Sequence, residues 1–144
     1  MASKDYILRE IERLGIIFAR IFDRILGRTT SLAEVKRDLH AAAGSLGLDL
    51  ETAHRVSSET LLLLVAPGGV AEPTRCWVFA ESFFLEGMEA NLAGEPEAAF
   101  DLLTRARMLY DLLRGGKYRP LALPDVDERI ARVDEVLASL GPQG

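Results

Sequence analysis

The stretch that decides the fold is residues 80–113, AESFFLEGMEANLAGEPEAAFDLLTRARMLYDLL. Large apolar residues recur in it at steps of three and four, which is the spacing of one face of an α-helix. Gly94 and Pro96 interrupt this pattern near its middle and predict a turn between two helices. Small residues at Gly87, Ala99 and Ala106 stand where two packed helices would approach each other closely. We therefore predict a tightly packed pair of helices.

The rest of the chain carries the same helical periodicity, and no alternating pattern typical of strands competes with it. We expect an all-α fold of about six helices, arranged as antiparallel helical hairpins in a solenoid or bundle. At 144 residues the chain fits a single domain. In this prediction residues 1–28 hold a long amphipathic helix, and residues 31–140 form the helical-hairpin body.

Composition and charge exclude several classes of protein. Hydrophobic residues make up 49% of the chain and charged residues 27%, which is ordinary for a globular protein, and the net charge of −5 gives no reason to expect nucleic-acid binding. The longest uncharged apolar run, residues 61–66, is too short to cross a membrane. Because the first residues lack the features of a signal peptide and Cys76 is the only cysteine, we expect a cytoplasmic protein.

Residues that favour helix ends predict several boundaries. The segments 31–34 (SLAE) and 125–128 (DVDE) each have the spacing of a capping box. Asp49 is suited to cap the third helix, which Ser57 and Ser58 could break into two pieces. Pro73 suits the first turn of the fourth helix.

The fourth helix is apolar on two faces, so we expect it to be covered on both sides. Only Ser82, Glu86 and Glu89 form a polar strip between those faces. Glu81, Glu86 and Glu89 could cluster with Asp101 of the next helix, and we expect such a cluster to be a solvated acidic surface.

Residues 80–113 resemble a tetratricopeptide repeat when Ala80 is taken as its first position. Phe83 then stands where the repeat has a large aromatic residue, and Gly87 where it has a small one. The other matching positions are Gly94 at the turn and Ala99, Leu103 and Ala106 in the second helix. Neither neighbouring segment repeats the pattern, so the resemblance implies one such unit with divergent neighbours.

The resemblance implies that a protein or peptide binds to a concave face formed by the first helix of the pair. In this chain the corresponding positions, which we call the predicted groove, are Glu81, Phe84, Met88, Asn91 and Leu92. Their apolar character favours an apolar peptide or a partner's helix. Apolar residues at helical spacing are also typical of a core, in which case this surface packs against the same chain.

A second resemblance concerns residues 5–12, DYILREIE, together with the helical layout. These are similar to an uncharacterised family of small bacterial all-helical proteins with no assigned activity, which implies a bacterial protein.

The N-terminal helix carries the longest apolar stripe of the chain and must bury it. Ile11, Phe18 and Phe22 lie on this stripe and are our candidates for self-association as a homodimer. The alternative is that the body of the same chain covers them.

A metal-dependent enzyme is the competing hypothesis. Glu51 and His54 have the Glu-x-x-His spacing of carboxylate-bridged metal sites, which would recruit further helix-borne carboxylates. Those sites need two such motifs, and this chain has one, so we expect no metal and no cofactor. We likewise expect Cys76 to be a buried, inert thiol.

Basic residues concentrate in two places. Five arginines lie along the first helix or just after it: Arg9, Arg13, Arg20, Arg24 and Arg28. We expect many of them to pair with the interleaved acidic residues, and the alternative is a helix that binds a membrane surface or nucleic acid. Arg114, Lys117 and Arg119 could hold an anion or an acidic partner, or could complement a helix C-terminus. The sequence as a whole predicts a non-catalytic module for protein–protein interaction or assembly.

Overall fold

A computed structural model describes residues 4–66, 72–114, 123 and 125–141 of the chain. Within these residues the chain forms seven α-helices and no strand, which confirms the all-α prediction. The helices are α1 (Lys4–Leu26), α2 (Leu32–Gly44), α3 (Leu50–Arg55), α4 (Ser58–Val65), α5 (Pro73–Leu92), α6 (Pro96–Arg114) and α7 (Val126–Leu140). In the described part of the chain, no helix has both the length and the apolar composition needed to cross a bilayer.

Helix α5 lies at the centre of the fold, because α1, α2, α4 and α6 all contact it. Each of its residues from Cys76 to Ala90 is buried. The prediction that this helix is covered on both sides is therefore confirmed. The cover extends to the polar strip between these faces, because Ser82, Glu86 and Glu89 are also buried.

Helices α5 and α6 run antiparallel and pack closely. Their contacts pair early residues of α5 with late residues of α6: Cys76 donates to the Leu109 carbonyl, whereas Gly87 faces Leu103. A Cβ atom on Gly87 would lie 2.6 Å from Leu103 Cδ2, so only glycine allows this approach. Gly94 has a φ of +79° in the connecting turn, which an L side chain rarely adopts. Ala99 and Ala106 are fully buried.

The predicted helix ends mostly agree with the structure. Asp49 caps α3 by accepting from the Thr52 amide, and Ser57 caps α4 after the break at Val56. The Ser31 side chain accepts from the Glu34 amide as predicted, but the Glu34 carboxylate accepts from the Thr30 hydroxyl instead of completing the box.

The predicted cap at Asp125 is wrong. This residue has a left-handed backbone with φ of 61°, and its side chain makes no capping hydrogen bond. In this conformation Asp125 does not adopt the extended backbone that the capping box requires.

The apolar stripe of α1 is buried against the same chain. Phe18 packs edge-on against Trp77 with ring centroids 5.4 Å apart, and Phe22 packs against Phe84 at the same distance. Ile11, Phe18 and Phe22 are at most 8% exposed. The three side chains therefore leave almost no surface for self-association, and the structure agrees with the alternative, in which the body of the same chain covers the stripe.

Candidate functional site

An open cleft of about 490 Å³ lies between α1 and α2, and we call it the α1–α2 cleft. Its apolar lining consists of Ile17, Ile21, Ala41 and Ala42, and its charged lining consists of Arg13, Arg20, Arg24 and Asp38. On the α2 side the cleft is shallow, because the alanine side chains that line it are short. The volume is within the range of about 300–1,000 Å³ that small-molecule pockets occupy.

The three arginines share one side of α1 because spacings of seven and four residues return to nearly the same helical direction. Arg24 donates to Asp38 across the cleft at 2.8 Å. Arg13 donates to Glu10 at 2.8 Å and to the Ser45 hydroxyl at 3.0 Å. Among the described residues Arg20 has no ion pair and no hydrogen bond from its side chain.

The predicted pairing along α1 is therefore only partly correct. Arg13 pairs with an acidic residue of the same helix, whereas Arg24 reaches α2. The hydrogen bond between Arg13 and Ser45 adds a second polar link between the two walls of the cleft. The result is a cleft with an apolar floor and a mainly cationic rim.

The predicted groove is mostly closed by the chain itself. Glu81, Phe84 and Met88 are at most 4% exposed. Phe84 lies between Phe22 of α1 and Tyr110 of α6, which explains its burial. Only Asn91 and Leu92, at the end of α5, reach the surface, with Leu92 39% exposed.

Glu81 is instead the acceptor of a buried polar network that joins α5, α6 and α7. Its Oε2 atom accepts from the Tyr110 hydroxyl at 2.5 Å and from Arg129 Nε at 3.2 Å. The Arg129 guanidinium also lies 4.7 Å from the Phe22 ring centroid and 4.8 Å from that of Phe84. This geometry places a cation against two aromatic faces in a dry environment.

Burial has the largest effect on the pKa values of Glu81 and Tyr110. It raises the pKa of Glu81, outweighing the opposite effects of Arg129 and Tyr110. Burial, together with the charge of Glu81, raises the pKa of Tyr110 well above its ordinary value. The phenol therefore stays protonated and remains a hydrogen-bond donor to Glu81.

His54 does not join Glu51 but forms a hydrogen-bonded pair with Glu86 of α5. Its other ring nitrogen contacts the Leu50 carbonyl at 2.7 Å, and its ring lies 5.0 Å from that of Phe83. Glu51 lies at the surface and pairs with Arg55 at 2.5 Å. The structure thus separates the two residues of the predicted metal motif.

The described residues contain no group of three or more histidine, cysteine or acidic side chains placed to hold a metal ion. The predicted acidic surface is also wrong, because Glu81, Glu86 and Glu89 are buried whereas Asp101 is exposed. They cannot form one solvated cluster when the first three are covered by other helices.

Cys76 is buried as predicted and donates to the Leu109 carbonyl at 3.3 Å. Burial raises the pKa of its thiol to about 12, so the reactive thiolate is scarce at neutral pH. Of the predicted basic set near the end of α6, Arg114 pairs with Asp111, while Lys117 and Arg119 lie outside the described residues.

Comparisons with known protein families, with curated proteins and with solved structures found no match to this chain.

Proposed function

We propose that the protein is a non-catalytic interaction or assembly module that binds a protein or peptide in the α1–α2 cleft. The observation that carries this proposal is the cleft itself, whose lining presents partly exposed Ile17 and exposed Ala41 beside three arginines on the α1 side. Apolar area with a few placed charges is the usual composition of a recognition surface, and arginine is enriched there.

The rest of the fold supports the proposal because it holds the cleft in place. The wall formed by α1 is fixed by Phe18 and Phe22, which pack on α5. The close approach of Gly87 to Leu103 supports a tetratricopeptide-like pair over residues 80–113. In this proposal the pair supports the binding surface instead of forming it, and the protein acts in the bacterial cytoplasm.

The proposal covers two kinds of partner, which are another protein and a second copy of this chain. A homodimer must use residues other than Ile11, Phe18 and Phe22, because these are covered within one chain. Native mass spectrometry of the untagged protein distinguishes the two cases. A dimer that dissociates on dilution indicates self-assembly, whereas a monomer at all concentrations indicates that the partner is another protein.

Site-specific photo-crosslinking in cells tests the proposal. A photoreactive residue at exposed Ala41, on the α2 wall, is compared with one at exposed Glu135 on α7. We expect a defined cross-linked protein at Ala41 that is absent at Glu135. Equal products at both positions, or none at Ala41, would contradict binding in the cleft.

A further inference from the structure

We infer that the α1–α2 cleft takes an acidic amphipathic helix whose carboxylates follow the spacing of Arg13, Arg20 and Arg24. This inference rests on the proposed function and names the chemistry of the partner. It depends on charge, on the shape of the cleft and on the distances between the arginines.

Charge complementarity is the first argument. The cleft is lined by three arginines and one aspartate, and Glu10 pairs with Arg13, so a net positive charge remains there although the whole chain carries a net charge of −5. The local positive charge therefore departs from the charge of the protein and favours an acidic ligand.

The arginines also have donors available. Arg20 is exposed and, in the described part of the chain, its side chain has no acidic or hydrogen-bond partner. The side chains of Arg13 and Arg24 are both 44% exposed despite their pairs. A guanidinium has five N–H donors, so the two hydrogen bonds of Arg13 and the one of Arg24 leave other donors for a ligand carboxylate.

The spacing of the arginines favours an extended ligand over a single small anion. At a rise of about 1.5 Å per residue, Arg13 and Arg20 are about 10 Å apart along the axis, and Arg20 and Arg24 about 6 Å. One carboxylate or phosphate cannot contact all three. A second helix lying along α1 has the same rise, so it can present one carboxylate to each arginine.

The floor of the cleft fits the apolar side of such a helix. Ile17 is partly exposed and Ala41 is exposed, whereas Ile21 and Ala42 are at most 5% exposed, so the first two supply the accessible apolar surface of the cleft. Apolar anchors with flanking charges are typical of a helix bound in a groove.

Fluorescence anisotropy with a designed peptide tests this inference. The labelled helical peptide carries glutamates at positions i, i+4 and i+11, which match the three arginines in an antiparallel arrangement. A second peptide has the same composition, with its glutamates distributed around the helix. We expect the matched peptide to bind at least about tenfold more tightly, and the binding to weaken as salt is added.

Protein variants assign the binding to the cleft. Arg20→Gln should weaken binding of the matched peptide about three- to tenfold, the scale of one exposed or partly desolvated ion pair. Arg55→Gln removes the same charge from α3, where Arg55 pairs with Glu51, and should leave the affinity unchanged. Circular dichroism of both variants is the control for folding, and we expect it to show unchanged helix content.

Several outcomes would overturn the inference. Equal affinity for both peptides would contradict recognition through the spacing of the arginines. An unchanged affinity in Arg20→Gln would contradict a contact between the peptide and Arg20. Binding of duplex DNA or anionic vesicles that Arg20→Gln abolishes, without peptide binding, would assign the cleft to another ligand class. Absence of peptide binding together with a cross-linked protein at Ala41 would overturn the acidic helix while leaving the proposed function intact.

Discussion

His54 and Glu86, which are 32 residues apart in the sequence, form a hydrogen-bonded pair between α3 and α5. Glu86 is fully buried, and its other carboxylate oxygen has no hydrogen-bond partner among the described residues. His54 is thus the one described side chain that offsets the charge of this carboxylate by a direct contact. The short helix α3 is linked to the centre of the fold through this pair.

The first prediction concerns the titration of His54. Burial of the ring lowers its pKa, but the hydrogen bond and the charge of Glu86, with the Leu50 carbonyl, outweigh burial and raise it overall. Replacing Glu86 with Gln removes the charge and leaves burial dominant. We therefore expect the pKa of His54 in Glu86→Gln to fall below its ordinary value of 6.5, as measured by NMR titration.

A matched control is Glu51→Gln, which removes an exposed carboxylate three residues before His54. It should leave the pKa of His54 nearly unchanged, because Glu51 pairs with Arg55. A similar fall in both variants would contradict the assignment of Glu86 as the partner.

The same pair gives the fold a pH dependence of known sign. The folded-state pKa of His54 is above its unfolded value, so protonated His54 stabilises the fold. This contribution is fully present below about pH 6.5 and is lost as the pH rises through the higher folded-state pKa. His54→Gln should therefore flatten the decline in unfolding free energy over that window, as measured by urea denaturation.

The second prediction concerns Arg129 and Glu81. Arg129→Met leaves the carboxylate of Glu81 buried without its cation, and the loss of one partner of a buried pair costs about 3–5 kcal/mol. We expect that loss in the unfolding free energy measured by denaturant titration. Adding Glu81→Gln to the same chain should recover part of it, because the neutral amide no longer needs a cation.

Arg132→Met is the control for the loss of a cation near an aromatic ring. Arg132 lies 5.4 Å from the Phe22 ring centroid, but it has no contact with Glu81. It should cost only about 0.5–1 kcal/mol, the scale of an exposed cation–π contact. Equal losses for Arg129→Met and Arg132→Met would show that Glu81 does not depend on Arg129.

Most helix ends were predictable from the sequence because capping is local, although the predicted cap at Asp125 is wrong. Asp49 and Thr52 are three residues apart, and Pro73 lies in the first turn of α5, so each boundary depends on neighbouring residues. The buried network was not predictable in this way. Arg129 is 48 residues from Glu81, and only the packing of α7 brings it there.

One signal for the buried glutamates was present in the sequence. A helix that is apolar on two faces and covered on both sides leaves little width for a solvated strip, so Glu86 and Glu89 need cover or partners. The α1–α2 cleft gave a weaker signal. The spacing of Arg13, Arg20 and Arg24 was visible, but the alanine wall opposite them depends on how α2 packs.

The third prediction concerns Gly87. In Gly87→Ala the new Cβ would lie 2.6 Å from Cδ2 and 2.7 Å from Cγ of Leu103, which is itself fully buried. Because Leu103 cannot move freely, we expect overpacking to cost about 1–3 kcal/mol. Thermal and denaturant unfolding measure this loss.

Gly44→Ala is the matched control for Gly87→Ala. Gly44 also lies in a helix, but a Cβ there would meet no atom within 4 Å. This change should be neutral or stabilising by up to about 1 kcal/mol through helix propensity. If both alanine variants were equally stable relative to the parent protein, the close approach of α5 and α6 would be contradicted.

The fourth prediction concerns the reactivity of Cys76. A thiol with a pKa of about 12 contains little thiolate at neutral pH, and the surrounding helices also block access to its sulfur. We expect Ellman's reagent to modify the native protein at least about a hundredfold more slowly than the protein unfolded in urea. Since Cys76 is the only cysteine, the reaction reports on this site alone.

The Arg129→Met variant should react faster than the parent protein. Because it is less stable, it unfolds more often, and each unfolding event exposes the thiol of Cys76 to the reagent. Rapid modification of the native parent protein would contradict the burial of Cys76 between α5 and α6.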